Sequence, residues 1–265
     1  MLPTQRRQAI MAEVRRRSTV SADDLAREFA VSVETIRRDL RRLQEKGLLD
    51  RVYGGATRPA GRSSEGSFAA RSTRRIGAKR AIARRAASLA EQGETLVIDV
   101  GTTALEVARA LPAAFEGRVL TNSVPAALEL SGRRDVEILL CGGQVRHGDG
   151  ACSGAHAEAF FAEFYADRAF LGSGGVHPEA GLTDYYPAEV IVRRTIIDHT
   201  AACYVLADSS KLGAIAVHRV CSLDRITAVI TDDEGDPGAC EALAAAGVTL
   251  LRATAAGRPP ISEAG

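Results

Sequence analysis

Ser32-Val33-Glu34-Thr35-Ile36-Arg37-Arg38-Asp39-Leu40-Arg41-Arg42-Leu43 is the stretch from which the rest of the chain is read. Val33, Ile36, Leu40 and Leu43 follow a 3-4-3 spacing, which places them on one apolar stripe of a helix. Arg38 and Arg42 fall on the opposite side, flanked by Arg37 and Arg41. Ser32 is placed to accept a hydrogen bond from a leading amide, because the first amides of a helix have no internal partner. The spacing therefore predicts a capped helix with a core on one side and arginines elsewhere on its surface. Such a helix fits a major groove, but an arginine-rich amphipathic helix can equally be plain solvated surface. The flanking sequence decides between them.

Upstream, Thr4 to Arg16 reads as a first helix with Ile10 and Val14 inward and Arg6, Arg7, Arg15 and Arg16 outward. Ser18-Thr19-Val20 breaks it. Ser21-Ala22-Asp23-Asp24 fits the capping pattern in which a Ser hydroxyl and a carboxylate three residues on each satisfy an orphan amide. A second helix follows with Leu25 and Phe29 inward, and only Ala30-Val31-Ser32 separates it from the opening stretch. Two short helices joined by so brief a turn, the second one basic, form a helix-turn-helix. Downstream, Gly47 is a candidate left-handed cap. Gly54-Gly55 between two β-prone runs marks a hairpin over residues 48–58. Helix, helix, helix, hairpin is a winged helix-turn-helix.

Net charge supports a polyanionic partner for this part alone. Residues 1–80 hold 19 Lys and Arg against 9 Asp and Glu, whereas the remainder holds 15 against 24. The N-terminal end of a recognition helix meets base edges, which makes Glu34, Thr35, Arg37 and Arg38 the candidates for readout, with Ser32 as cap. Arginine binds guanine O6 and N7 bidentately, Thr meets a thymine methyl, and Glu accepts from cytosine N4. Arg41, Arg42 and Arg51 are placed for phosphate contacts, which give register without sequence information. Asp39 would repel DNA and is expected to pair with a neighbouring arginine.

A length of 265 residues suggests two domains, and 46% hydrophobic with 25% charged residues is ordinary for a globular chain. Five scattered cysteines form no C-x-x-C pair, so reduced thiols in a cytoplasmic protein are expected, with no zinc site. No apolar run is long enough for a membrane span and no signal peptide is legible at the N-terminus. The five histidines are dispersed and none is given a role.

The expected organisation is a DNA-binding domain over 1–58, a Gly/Ser/Pro-rich linker over 59–70, an α/β domain over 71–252 and a disordered tail over 253–265. In the second domain helices are expected at 78–92, 103–111, 125–131, 155–161, 187–198 and 237–246. Apolar strands are expected at 95–100, 118–121, 136–141, 168–171, 202–207, 228–231 and 249–251. That alternation indicates a Rossmann-like, mostly parallel sheet covered on both faces.

Ligands of such sheets bind at the carboxyl ends of strands. Asp99-Val100-Gly101-Thr102-Thr103 runs from a strand into a helix N-terminus, where free amides, hydroxyls and the positive dipole end suit a phosphate. Thr121-Asn122-Ser123 is polar at a second strand end. Gly142-Gly143 and the 172–175 run with Gly174 offer backbone that can approach a ligand closely. Asp208-Ser209-Ser210-Lys211 ends another strand on a lysine, a compact charge in a chain whose basic residues are almost all arginine. Each motif alone is what a short turn looks like; five in one sheet indicate a pocket.

Both halves resemble one family. Arg6, Ile10, Val14 and Ser32-x-x-Thr35-Ile36-Arg37-Arg38-Asp39-Leu40, followed by Glu45-x-Gly47-Leu48-x-x-Arg51-x-x-Gly54-Gly55-Ala56, resemble the N-terminal signature and wing of the DeoR family of bacterial transcriptional regulators. From Arg71 to Asp232 the resemblance continues through Lys79-Arg80-x-Ile82-Ala83, Asp99-x-Gly101-Thr102-Thr103, Thr121-Asn122-Ser123, Gly142-Gly143, Gly154, Glu189 and Asp208-Ser209-Ser210-Lys211. That family's sensor domain is similar to ribose-5-phosphate isomerase. The resemblance implies a phosphorylated sugar as effector, with Thr102, Thr103 and Lys211 on the phosphate and Asp99, Asn122 and Glu189 on hydroxyls.

One departure bears on catalysis. Such isomerases carry an Asp-rich D-G-A-D loop, which here aligns with Leu171-Gly172-Ser173-Gly174. Moving a proton between adjacent carbons needs a base. Its missing carboxylates favour binding without turnover. The resulting expectation is a non-enzymatic, sequence-specific DNA-binding regulator, a repressor of a sugar or sugar-alcohol catabolic operon relieved by a phosphorylated sugar. No cofactor or metal is expected, and reading paired half-sites of operator DNA implies a homo-oligomer, dimer or tetramer. The alternative is a sugar-phosphate isomerase with an appended DNA-binding domain.

Overall fold

The structure is a computed structural model that describes residues 3–17, 19–45, 49–52, 54–57 and 65–254. It divides into two compact units, Met1–Ala70 and Arg71–Gly265. In the first, α1 (Pro3–Arg17), β1 (Thr19–Ser21), α2 (Ala22–Glu28), α3 (Val33–Glu45), β2 (Asp50–Val52) and β3 (Gly55–Thr57) follow one another. Ile36, Leu40 and Leu43 of α3 are buried with Ile10, Val14 and Leu25, and Val33 packs against them half-buried. The apolar stripe thus does what its spacing predicts.

Three features depart from expectation. Thr19–Ser21 is not a mere break but a strand, pairing antiparallel with β3, so the wing is a three-stranded sheet ordered β1-β3-β2. Gly55 allows that approach: a Cβ there would lie 1.9 Å from the Val20 carbonyl oxygen. Ser21 caps α2 by accepting from the amides of Asp23 and Asp24 at 3.2 and 3.4 Å, but Asp24 pairs with Arg27 instead of reaching back. Arg6 points inward, not outward, for a reason given below. The turn from α2 to α3 closes with Val31 N–H to Ala26 O at 3.1 Å and Ala30 N–H to Arg27 O at 3.4 Å. This is a Schellman turn with Ala30 at φ 52°, where glycine is usual.

The chain continues through α4 (Phe68–Thr73), α5 (Ile76–Ala87), β4 (Thr95–Ile98), α6 (Thr102–Ala110), β5 (Gly117–Thr121), α7 (Val124–Leu130) and β6 (Val136–Leu140). Next come β7 (Gln144–Val145), β8 (Cys152–Ser153), α8 (Ala155–Ala162), β9 (Ala166–Leu171), β10 (Gly175–His177), β11 (Gly181–Asp184) and α9 (Pro187–Asp198). The last elements are β12 (Thr200–Leu206), β13 (His218–Cys221), β14 (Ala228–Asp232), α10 (Pro237–Ala245) and β15 (Leu250–Ala253). Of the expected linker, residues 59–64 lie outside the described residues, as do residues 255–265 of the expected tail, while Ala253 still belongs to the sheet.

Seven strands form the main sheet in the order β15-β14-β12-β9-β4-β5-β6, all parallel. Strand direction of travel reverses between β4 and β9, a topological switch point. Val97, Leu120, Ala169, Val205 and Val229 share one buried cluster with Phe161 of α8, Ile196 of α9 and Leu243 of α10. Their neighbours Leu96, Ile98 and Phe170 alternate to the other face and are buried as well. Two antiparallel additions were not legible from periodicity: the ribbon β7-β8 and the sheet β10-β11-β13. Both border the carboxyl ends of the parallel strands.

Candidate functional site

On α3, Ser32 receives the Thr35 amide at 3.2 Å on its hydroxyl, which also lies 2.8 Å from the Thr35 hydroxyl. Glu34, Arg37, Arg38, Arg41 and Arg42 are exposed. Glu34 and Arg37 sit 3.8 Å apart across one turn, a solvent-screened pair that rearranges at little cost. Asp39 is different. Its carboxylate is buried and takes Arg6 Nε at 2.6 Å and Arg7 Nη1 at 3.3 Å, which draws Arg6 into the core. The expected pairing of Asp39 with an arginine is met by α1, across the domain. Arg51 falls in β2, but its side chain, like Gly47, lies outside the described residues.

Arg38→Ala is expected to weaken binding to the preferred operator by roughly 1–3 kcal/mol and to relax discrimination at one base pair. Binding measured against a panel of single-base operator variants checks this. Equal weakening on every sequence would make Arg38 a phosphate contact.

In the second domain the ends of β4, β5 and β9 come together at Asp99, Asn122 and Gly172. Asp99 follows β4 and is 1% exposed. Its Oδ2 accepts from Gly172 N at 2.9 Å and Arg193 Nε at 2.7 Å, and its Oδ1 from Asn122 Nδ2 at 3.2 Å. It therefore bridges the switch point between β4 and β9. Asp99 is the residue expected to meet a ligand hydroxyl, and three protein donors already share its two oxygens. The Asn122 Oδ1 is buried and has no hydrogen-bond partner among the described residues. An orphaned buried carbonyl is costly unless something else donates to it.

Gly101, at φ 126°, caps α6, leaving the leading amides at Thr102 and Thr103 without side-chain caps. Ser123 caps α7 by accepting from the Ala126 amide, which leaves its O–H as a donor. Gly143, at φ 117°, is pressed against Ser153, where a Cβ would lie 2.5 Å from its carbonyl oxygen, while Gly142 is exposed and unconfined. Gly174 is also a packing glycine: its amide donates to Thr183 O at 2.9 Å and a Cβ would lie 2.9 Å from Asp184 Cα. The Ser173 hydroxyl donates to Leu206 O at 3.0 Å. The loop without carboxylates thus offers backbone and one committed hydroxyl. Lys211 ends a short 3-10 turn capped by Asp208, with its ammonium 5.5 Å from the Tyr185 ring centroid.

Sequence reasoning missed the group that organises this floor. Arg193 of α9 is 1% exposed and reaches Asp99, Asp184 Oδ2 at 2.6 Å and Glu189 Oε2 at 3.5 Å. Arg146, from the β7-β8 ribbon, pairs with Glu189 and Asp149 and lies 3.6 Å over the Tyr186 ring. The signal that could have found Arg193 is its i,i+4 spacing from Glu189 on one helix. For Asp184 and Arg146 there was no local signal. Among the described residues there is no cluster of three or more metal-ligating side chains, and no helix is long and apolar enough to cross a membrane.

Burial pushes the Glu189 carboxyl up to about 7 from 4.5; Asp184 and Asp99 push the same way, and Arg193 and Arg146 oppose them. The folded state thus keeps a proton that the unfolded chain sheds above pH 4.5, a contribution lost as pH rises through about 7. Wild-type stability should fall relative to Glu189→Gln across that window. Thermal melts between pH 5 and 8 check it, and parallel curves for the two proteins would refute it.

Comparison with known proteins agrees with both domains. Residues 6–61 match the DeoR-like helix-turn-helix domain and residues 52–233 the DeoR C terminal sensor domain. The chain is 35% identical over 253 residues to the HTH-type transcriptional regulator GlpR of Haloferax volcanii, covering 95% of this chain and 98% of that protein. It is also 35% identical over 232 residues to the glycerol-3-phosphate regulon repressor of Escherichia coli K12, covering 88% and 92%. A ribose 5-phosphate isomerase from Methanocaldococcus jannaschii overlays 50% of this chain and 52% of its own at 17% identity, with a TM-score of 0.38. With both domains matched and near-full-length relatives that are named regulators or repressors, the chain belongs to the DeoR family of helix-turn-helix transcriptional regulators and is a DNA-binding regulator, not an enzyme.

Proposed function

We propose that the second domain binds a small phosphorylated sugar or sugar alcohol at the carboxyl edge of its parallel sheet, and that this ligand relieves repression by weakening operator binding. The observation that carries it is the buried Oδ1 of Asn122, which has no partner among the described residues and is held in place by Asp99 at the switch point. A ligand hydroxyl supplies the missing donor. The amides at Thr102 and Thr103 and the Lys211 ammonium supply the anion site on the same edge of the sheet. Glu189 and Arg146 line the hydroxyl end. One relative is named as the repressor of a glycerol-3-phosphate regulon, which fits a ligand of this chemistry. In the first domain Glu34, Thr35, Arg37 and Arg38 read bases, while Arg41, Arg42 and Arg51 hold phosphates. The chain acts in the cytoplasm as a homo-oligomer, dimer or tetramer, on paired half-sites, with linker 59–70 joining domains 1–58 and 71–252.

Thermal unfolding in the presence of phosphorylated sugars and glycerol 3-phosphate tests the proposal. A ligand at 100 times its dissociation constant stabilises the domain that binds it by about 2.7 kcal/mol. The second domain should respond to a phosphorylated compound and not to its unphosphorylated counterpart. Lys211→Ala should remove that response while DNA binding without ligand persists. A full response in the variant takes Lys211 out of the anion site.

A further inference from the structure

One end of the candidate site is tied to a short helix. α4 (Phe68–Thr73) spans the point where the two units divide, between Ala70 and Arg71. It has no buried residue and only six residues in all, too few for a helix to stand on intrinsic propensity. It is held by ties. Ser67 caps it through the Ala70 amide at 3.3 Å. At its other end the buried Lys79 ammonium donates to the carbonyl oxygens of Arg71 and, at 2.8 Å, of Arg74. Arg71 Nη2 pairs with Asp149 Oδ2 at 3.9 Å.

That last tie continues inward. Asp149 accepts from Arg146 Nε at 3.1 Å, and Arg146 Nη1 pairs with Glu189 on the floor of the site. Glu189, Arg146, Asp149 and Arg71 are thus a row of alternating acidic and basic side chains leading from the site to α4. Their side chains are 5%, 27%, 10% and 19% exposed, so solvent screens the row less than it would a surface pair. A ligand that engages Glu189 or Arg146 competes with their mutual pairing and changes what Asp149 offers to Arg71.

We infer that α4 reads the occupancy of the site and that Arg146 and Asp149 relay it, an assignment that rests on the effector-binding proposal above. Linkage then requires that the ligand favour the α4 arrangement with weaker DNA affinity by the same factor as it lowers that affinity. α4 suits the task because one of its ties, Arg71 to Asp149, leads to the site, and the chain entering it comes from the DNA-binding domain.

Hydrogen exchange on the full chain without ligand tests the first half. Asp149→Asn keeps the turn but removes the charge facing Arg71, and should speed amide exchange over residues 68–73 at least fivefold while β4 and β9 stay protected. Unchanged exchange there overturns the relay. The second half uses operator DNA selected from a random library, with and without saturating glycerol 3-phosphate. Asp149→Asn should bring the ligand-induced change in operator affinity to less than twofold while glycerol 3-phosphate binding stays within threefold of wild type. A full DNA response in the variant overturns the relay. Arg71→Gln should reproduce the effect, and combining both changes should add nothing, since residues in one chain of contacts are not additive; additive losses count against it. If glycerol 3-phosphate leaves the wild type unbound, that probe fails the effector proposal, and the exchange measurement still decides the role of α4.

Discussion

Arg193→Ala is expected to destabilise the second domain by about 3–5 kcal/mol, the cost of leaving a buried ion pair with one member missing. Arg193 is 1% exposed and faces Asp99 at 2.7 Å, Asp184 at 2.6 Å and Glu189 at 3.5 Å. Without the guanidinium, three carboxylates share a desolvated space with Arg146 on Glu189 and the dipoles of Asn122 and Gly172. They must either take up protons or open to water. Acid should therefore rescue the variant in part, because each carboxyl then binds a proton more readily folded than unfolded, and stability rises as pH falls. Calorimetry at several pH values measures this, with the first domain as an internal reference. A loss below 1 kcal/mol, or one independent of pH, would mean that Arg193 does not hold the site together.

Asp39→Ala is the counterpart in the DNA-binding domain. Its carboxylate receives Arg6 at 2.6 Å and Arg7 at 3.3 Å, with Arg6 itself 7% exposed. Stranding that guanidinium should cost about 3–5 kcal/mol, most of the stability a domain of this size commands. Operator binding should fall together with the first unfolding transition. The sign is the useful part. Were Asp39 only an acidic neighbour of the DNA-facing arginines, its removal would strengthen DNA binding at low salt. Higher affinity in Asp39→Ala would therefore overturn the structural role.

Much of the function was legible in order along the chain, because the signals that carry it are local. The α3 stripe shows as a 3-4-3 spacing, Ser21 and Ser32 act within three residues of themselves, and Gly101 and Lys211 sit where a strand gives way to a turn. The misreadings have a common cause. Thr19–Ser21 is too short to show a period, and it is a strand only because β3 lies beside it. Arg6 looks like a surface arginine until its partner 33 residues away is known. At Asp99 the strand end is legible, but not the partners it meets, Gly172 and Arg193, 94 residues on.

What the amino-acid sequence determined by itself was the helix-turn-helix followed by a parallel α/β domain, the amphipathic α3 and the polar strand ends. Helical and strand periods, caps and turns depend on neighbours a few residues apart. Only the tertiary structure decided which polar groups remain free for a ligand. That is settled by which groups meet when distant segments pack: Arg193 reaches Asp99 across 94 residues, whereas the buried Asn122 Oδ1, one strand away, meets no donor among the described residues.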